Sequence, residues 1–406
     1  MNQTKGDVDH TYVDISVFNA PKSDGTDKRQ VLQYIEQRQT PIISERDSNY
    51  YLSITRFSLQ TGNSIPIFIA KVDTANNNDE AFRTAYILTV KYKGNLSGTI
   101  YTATQPVQWF PENLTVPVPV APAGGFKSQP NSEYYYCYSL THWVRVLNFT
   151  LRQCYIQLYL QARFDGFPLR TDYVYQFFEL MEGNKLSLNS DFELFNEPYL
   201  RSDRFLPEDL HCATYMNNSL ATIMSSFSVS KVSDTDVIAP YRFNITNNSN
   251  SNILITPEDV LDPSNNKITN HYIQNIQEYD CTSLMSPVQA IVFKSSTIPL
   301  TYALTSPQKR FDSNMNSTPI NSNTDNILTD FIVNSDGCFS YNGNITYTPT
   351  AEYRLIDLID SNGSFNEIDI SCFWRDEYNN LIPFYLDAGC NFSMKILFRK
   401  KAFSNK

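Results

Sequence analysis

The sequence predicts a mainly β protein with long polar loops and one long amphipathic helix, and three observations carry that prediction. Only 18% of the 406 residues are charged while 14% are aromatic. With abundant Asn, Ser and Thr, that balance suits half-buried strands and polar loops better than surface helices, where Lys and Glu collect. Segments that alternate between apolar and polar residues recur from one end to the other. A single stretch instead repeats its apolar residues at helical steps, and the length is enough to bury a substantial core.

Taken in order, "YVDISVF" puts Val13, Ile15 and Val17 on one face against Asp14 and Ser16. A long polar segment, 19–47, separates it from the next clear strand pattern, which opens with "NYYLSITRFSLQ". In "YILTVKY", Tyr86, Leu88, Val90 and Tyr92 oppose Thr89 and Lys91. Shorter strands are expected at 65–72, 173–180, 224–229 and 288–293. Proline at every second or third position across 110–133 excludes a helix or a central strand there, which leaves an extended connection, with an edge strand at 116–120. In the helical stretch "THWVRVLNFTLRQCYIQLYLQARF", Trp143, Leu147, Leu151, Cys154 and Leu158 share a face, Arg145, Asn148, Arg152 and Gln157 fall elsewhere, and Thr141 is the expected N-cap. Such a helix is expected to lie against a sheet. Residues 244–252 and 313–326 are almost purely polar and read as exposed loops. Near the other end, "IDISCFW" gathers Ile368, Ile370, Cys372 and Trp374, and "NFSMKILFR" sets Met394, Ile396 and Phe398 against Ser393, Lys395 and Arg399. The organisation that follows is an N-terminal strand and extended arm over 1–47 and a large β-rich domain over 48–406, with the Pro-rich segment 110–133 as the alternative sub-boundary.

Net charge is −10, and no long basic block offsets it, so wholesale coating of nucleic acid is disfavoured and direct nucleic-acid binding is expected to be weak or absent. The seven cysteines lie far apart without a C-x-x-C pair and read as buried, reduced thiols. The opening residues have no apolar signal core, and no stretch approaches a membrane span; synthesis in a reducing cytoplasm is the expectation.

Chemistry is sparse. The four histidines, His10, His142, His211 and His271, have no shared metal spacing, and no nucleophile elbow, phosphate loop or dinucleotide loop occurs. No cofactor, metal or catalytic residue is expected. Acidic clusters at Asp73, Asp79 and Glu80, at Asp357, Asp360 and Glu367, and at Asp376 and Glu377 could serve glycoside hydrolysis or calcium binding only at separations that sequence does not supply; as turns and solvated loops they need no such role. Arg399, Lys400 and Lys401 gather behind the last strand pattern. They read as a charged strand end that keeps an edge soluble, or as a local contact to nucleic acid or to an acidic neighbour.

The segments "NYYLSITRFSLQTGNSIPIFI", the helix with its "YSLTHWV" start, "SPVQAIVFKSSTIPL" and "EYRLIDLIDSNGSFNEIDISCFWRDEYNNLIPFYLDAGCNFSMKILFRKK" resemble structural proteins of viruses, of the minor-capsid or penton kind. The resemblance runs from about residue 11 to residue 401. It implies a jelly-roll-type β-sandwich that self-assembles into, or completes, an icosahedral capsid, located in the virion, with copies of itself and other capsid proteins as partners. Single-jelly-roll coat proteins that package single-stranded genomes often carry a basic N-terminal arm, and this sequence departs from that pattern: either genome contact is minimal, as for a vertex or minor capsid protein, or the charge is neutralised by another component. On this reading Tyr12, Val13, Ile15, Val17 and Phe18 form an inter-subunit arm; an ordinary first strand of the same sandwich is the equal alternative. The rival functions are an attachment protein that recognises a host receptor or glycan through Asn- and Tyr-rich loops, and a β-sandwich enzyme with two carboxylates in one cleft.

Overall fold

A computed structural model describes residues 10–23, 29–43, 46–62, 64–69, 83–94, 97–112, 136–165, 176–191, 195, 212–245, 251–255, 271–301, 303–304, 324–332, 343–347, 355–360, 365–376 and 379–401. The chain forms two compact units. Met1–Pro66, Pro287–Asn334 and Phe339–Lys406 make the first, and Ile67–Ser286 with Ser335–Cys338 the second. The expected boundary after residue 47 falls inside the first unit, because the strands on either side of it belong to one sheet. Of the Pro-rich segment, residues 113–133, including the edge strand expected at 116–120, lie outside the described residues.

In the first unit two antiparallel sheets are held together by aromatic side chains. One sheet runs His10–Phe18, Asn391–Lys400, Tyr50–Gln60, Asn344–Tyr347, with Ile356–Asp357 also paired to Tyr50–Gln60. The other runs Ile327–Ile332, Val288–Lys294, Glu367–Asp376, Leu381–Pro383, with Gln33–Gln37 also on Glu367–Asp376. Period-two alternation places Val13 and Ile15, then Met394, Ile396 and Phe398, on the inner face of the first sheet, all nearly inaccessible. From the second sheet Ile368, Ile370, Cys372 and Trp374 are buried likewise. Phe57 of one sheet meets Phe293 and Phe331 of the other at ring separations of 5.4 and 4.3 Å, and Phe293 stacks on Phe392 at 5.4 Å. Each such ring contributes roughly 2–3 kcal/mol of burial, with aromatic contacts adding about 1 kcal/mol.

The second unit is built on the sheet Val229–Lys231, Tyr241–Phe243, Cys212–Met216, Arg83–Lys93, Ile100–Gln108, and a second sheet Ser251–Ile255, His271–Ile276, Leu186–Asp191, Gln176–Leu180. The long helix Leu140–Ala162 lays its apolar face on the first of these. Trp143, Leu147, Leu151, Cys154 and Leu158 are all fully buried, and the Cys154 thiol donates to the Leu88 carbonyl at 3.7 Å. Its cap is Ser139 rather than Thr141: the Ser139 hydroxyl accepts the His142 N–H at 3.1 Å, so the helix starts two residues before the expected position.

Two other expectations shift. Residues 218–223 form a short helix because the Asn217 side chain accepts the Leu220 N–H, and the strand expected from 224 begins only at Val229. The strand expected over 65–72 is described only as Phe68–Ile69, paired with Tyr136–Cys137. The polar stretch 244–252 ends in the strand Ser251–Ile255, and most of 313–326 lies outside the described residues. The described cysteines are free; five are buried and Cys390 is half-buried.

Candidate functional site

Two groups of residues singled out in the sequence become neighbours. His10–Phe18 and Asn391–Lys400 pair antiparallel over their whole length, from His10 opposite Arg399 to Phe18 opposite Asn391. The N-terminal segment is therefore the edge strand of its own sheet, and no described strand pairs with its other side. Val13 and Ile15 are 1% and 2% exposed in the chain's own core, and Val17 is half-buried. What faces outward is Tyr12 and Phe18, 51% and 60% exposed. Between them Asp14 lies 3.5 Å from Arg56 and 3.3 Å from Lys395, while Lys395 sits over the Tyr12 ring at 5.3 Å. Exposed pairs of this kind add about 0–1 kcal/mol each, so they shape the surface more than they stabilise it.

The expectation that Arg399, Lys400 and Lys401 keep an edge soluble is also corrected. Asn391–Lys400 is an interior strand, flanked by His10–Phe18 on one side and Tyr50–Gln60 on the other. Lys401 is held by Asp357 at 2.6 Å and lies over the Tyr51 ring at 4.8 Å, so it is not a spare cation. Arg399 is exposed and Lys400 half-buried. The described acids have structural work as well. Asp360 accepts the Ser48 N–H at 3.0 Å, and Asp376 accepts both the N–H and the side-chain amide of Asn380. Asp73, Asp79, Glu80 and Glu377 lie outside the described residues, and among those described no cluster of three His, Cys, Asp or Glu could hold a metal.

Sequence reasoning missed the outward face of the long helix. Beside the buried stripe runs a second, solvent-facing one in which Phe149, Ile156 and Leu160 are 39%, 44% and 58% exposed, extended just past the helix end by Phe164, 83% exposed. Arg145, Arg152 and Arg163 lie among them, at the three- and four-residue steps that put side chains on one helix face. The helix contains no Asp or Glu. The arginines face aromatic rings rather than carboxylates: Arg145 lies 5.9 Å from the Phe110 ring and Arg163 4.6 Å from that of Phe164. The signal was present in the sequence as apolar residues at 149, 156 and 160, off the core stripe.

The sandwich is interrupted by an inserted β-rich unit, and among the described residues the outer side of its first strand is unpaired. Comparison with solved structures agrees on the fold. A chain from the cryo-EM structure of the Sputnik virophage is 23% identical, covers 98% of this chain and 99% of its own length, and superposes with a TM-score of 0.73. Mavirus penton protein, in its crystal structure, is 14% identical, covers 97% of this chain and 99% of its own length, and gives 0.56. The fold is thus a jelly-roll-type β-sandwich of viral capsid kind. The chain belongs to the Sputnik minor capsid protein V18/19 family, whose model matches residues 11–400, and it is a structural building block of a virion capsid. No curated protein sequence matches it.

Proposed function

We propose that the chain self-associates into a closed ring at a vertex of an icosahedral shell and joins other capsid proteins there, after synthesis in the host cytoplasm. The observation that carries this reading is that no described strand pairs with the outer side of His10–Phe18, with Tyr12 and Phe18 exposed on that sheet. An edge left open in a soluble protein invites pairing with another chain unless something covers it. The likeness to a penton protein supports the vertex position, and the acidic net charge supports a part that leaves genome contact to other components. On this reading Tyr12 and Phe18 touch a neighbouring subunit while Val13, Ile15 and Val17 hold the strand in place.

Antibody against the exposed turn at residues 233–238, which lies outside the edge proposed for assembly, applied to intact virions, tests the position. Label confined to vertices is the expected result. Label spread over the facets, or absence of the chain from purified virions, contradicts it.

An attachment role has a separate observation behind it. A surface hollow of about 290 Å³ is lined by Lys91, Lys93, Thr102, Tyr215 and Asp236, with Lys91 4.6 Å from the Tyr215 ring. Two lysines against one carboxylate leave the hollow net positive, which suits an acidic sugar. Binding to a glycan array that is lost in Tyr215→Ala tests that role.

A further inference from the structure

We infer that the arginine-and-apolar stripe on the outer face of the long helix is one half of a head-to-tail contact between copies of this chain. The other half is an acidic and apolar patch on the same unit. This deepens the self-association proposed above and rests on it.

The second patch is built at the hairpin that joins Gln176–Leu180 to Leu186–Asp191. The Met181 N–H closes the hairpin on the Lys185 carbonyl at 2.8 Å, which leaves Glu182 at the tip and Glu179 exposed beside it. The end of the His271–Ile276 strand is tied alongside: Gln277 N–H donates to the Leu186 carbonyl at 3.0 Å, and Lys185 Nζ donates to the Glu278 carbonyl at 2.8 Å. Glu278 is therefore next to the hairpin, Glu179 accepts the Asn189 amide at 3.0 Å, and Leu180 and Tyr279, 39% and 52% exposed, add apolar area at the same end of the sheet. Three carboxylates and two apolar side chains against one lysine, Lys185, leave this end net negative, opposite in sign to the helix stripe with its three guanidinium groups and four apolar side chains.

Charge complementarity names the occupant. In a chain of net charge −10, a helix face with arginines and no acid stands out, and the same unit carries the matching opposite patch. Two different complementary patches on one chain generate a heterologous contact, and a heterologous contact that closes on itself generates a ring. Apolar side chains bury area, and the charges steer approach and fix register. Neither patch satisfies the other within the chain: among the described residues none of the three arginines makes an ion pair.

The test uses the full-length protein and measures mass against concentration by light scattering. One variant reverses the stripe (Arg145→Glu, Arg152→Glu, Arg163→Glu), one reverses the patch (Glu179→Lys, Glu182→Lys, Glu278→Lys), and one carries both. Each single reversal is expected to weaken association by at least about tenfold, and the combined reversal to restore most of it. Reversing the patch also lowers the net negative charge, so a non-specific charge effect would strengthen association there instead. A Leu160→Ser variant, at an exposed position with little bearing on folding, is expected to weaken association without any change of charge. Association of the wild type that neither reversal weakens, or a patch reversal that strengthens it, overturns this contact and leaves self-association standing. A wild type that stays monomeric throughout overturns self-association itself, and this contact with it.

Discussion

At the residue scale, Asp369 shows how a buried carboxylate can organise a loop. It is 7% exposed, and it accepts hydrogen bonds from the Ser295, Ser296 and Thr297 hydroxyls and from the backbone N–H groups of Ser296 and Thr297. Burial alone raises its pKa, but the hydrogen bonds together outweigh burial and hold it below the ordinary value of 3.8. A folded pKa below the unfolded one gives stability that is present above the unfolded value and lost as pH falls through the folded one. Asp369→Ala strands several buried donors and is expected to cost on the order of 3 kcal/mol in denaturant unfolding, with the acid-sensitive part of the stability curve reduced. His142 works in the same direction at higher pH. Burial lowers its pKa from 6.5 against an opposing hydrogen bond to the Phe110 carbonyl at 2.7 Å. Stability is therefore expected to fall as pH drops below about 6.5, and thermal unfolding of His142→Gln should lack part of that fall. Gly94 is constrained by contact: a Cβ there would meet an Asp165 side-chain oxygen at 1.9 Å, and that carboxylate receives Ser97 N–H at 2.7 Å and Tyr101 OH at 3.0 Å. Gly94→Ala is expected to destabilise by about 1–3 kcal/mol, read from the same unfolding curves.

At the scale of elements, the His10–Phe18 strand decides between the two readings of the N-terminus. Because Val13 and Ile15 fill their own core, deletion of residues 1–20 is expected to destabilise the fold itself, with a lowered unfolding midpoint in circular dichroism. Unchanged stability with lost assembly would instead favour an exchanged arm. The elements were legible wherever local pattern and burial coincide. Alternation at 13–17, 86–92, 368–374 and 394–398, and the helical step from Trp143 to Leu158, survive because one face of each meets a core. What sequence concealed was pairing. That the first and last strands are neighbours, with His10 opposite Arg399, depends on contacts nearly four hundred residues apart in the chain. The cap at Ser139 and the helix at 218–223 were hidden by single side-chain hydrogen bonds, and the outward helix stripe by the habit of assigning every apolar helical residue to the core.

At the scale of the whole molecule, a sandwich whose chain departs after Pro66 and returns at Pro287 keeps a second β-rich unit on one covalent frame. Among the described residues the distinctive surfaces are an open strand edge, an arginine-and-apolar helix face and an acidic hairpin. Closed symmetry multiplies weak contacts at such surfaces, so association should strengthen steeply with concentration and change with salt where charged patches meet. The measurement that tests self-association most directly is the solution mass of the purified protein by light scattering over a range of concentration and salt. A closed oligomer of fixed stoichiometry, dissociating as salt rises, is the result predicted; a monomer at every concentration and salt would contradict it.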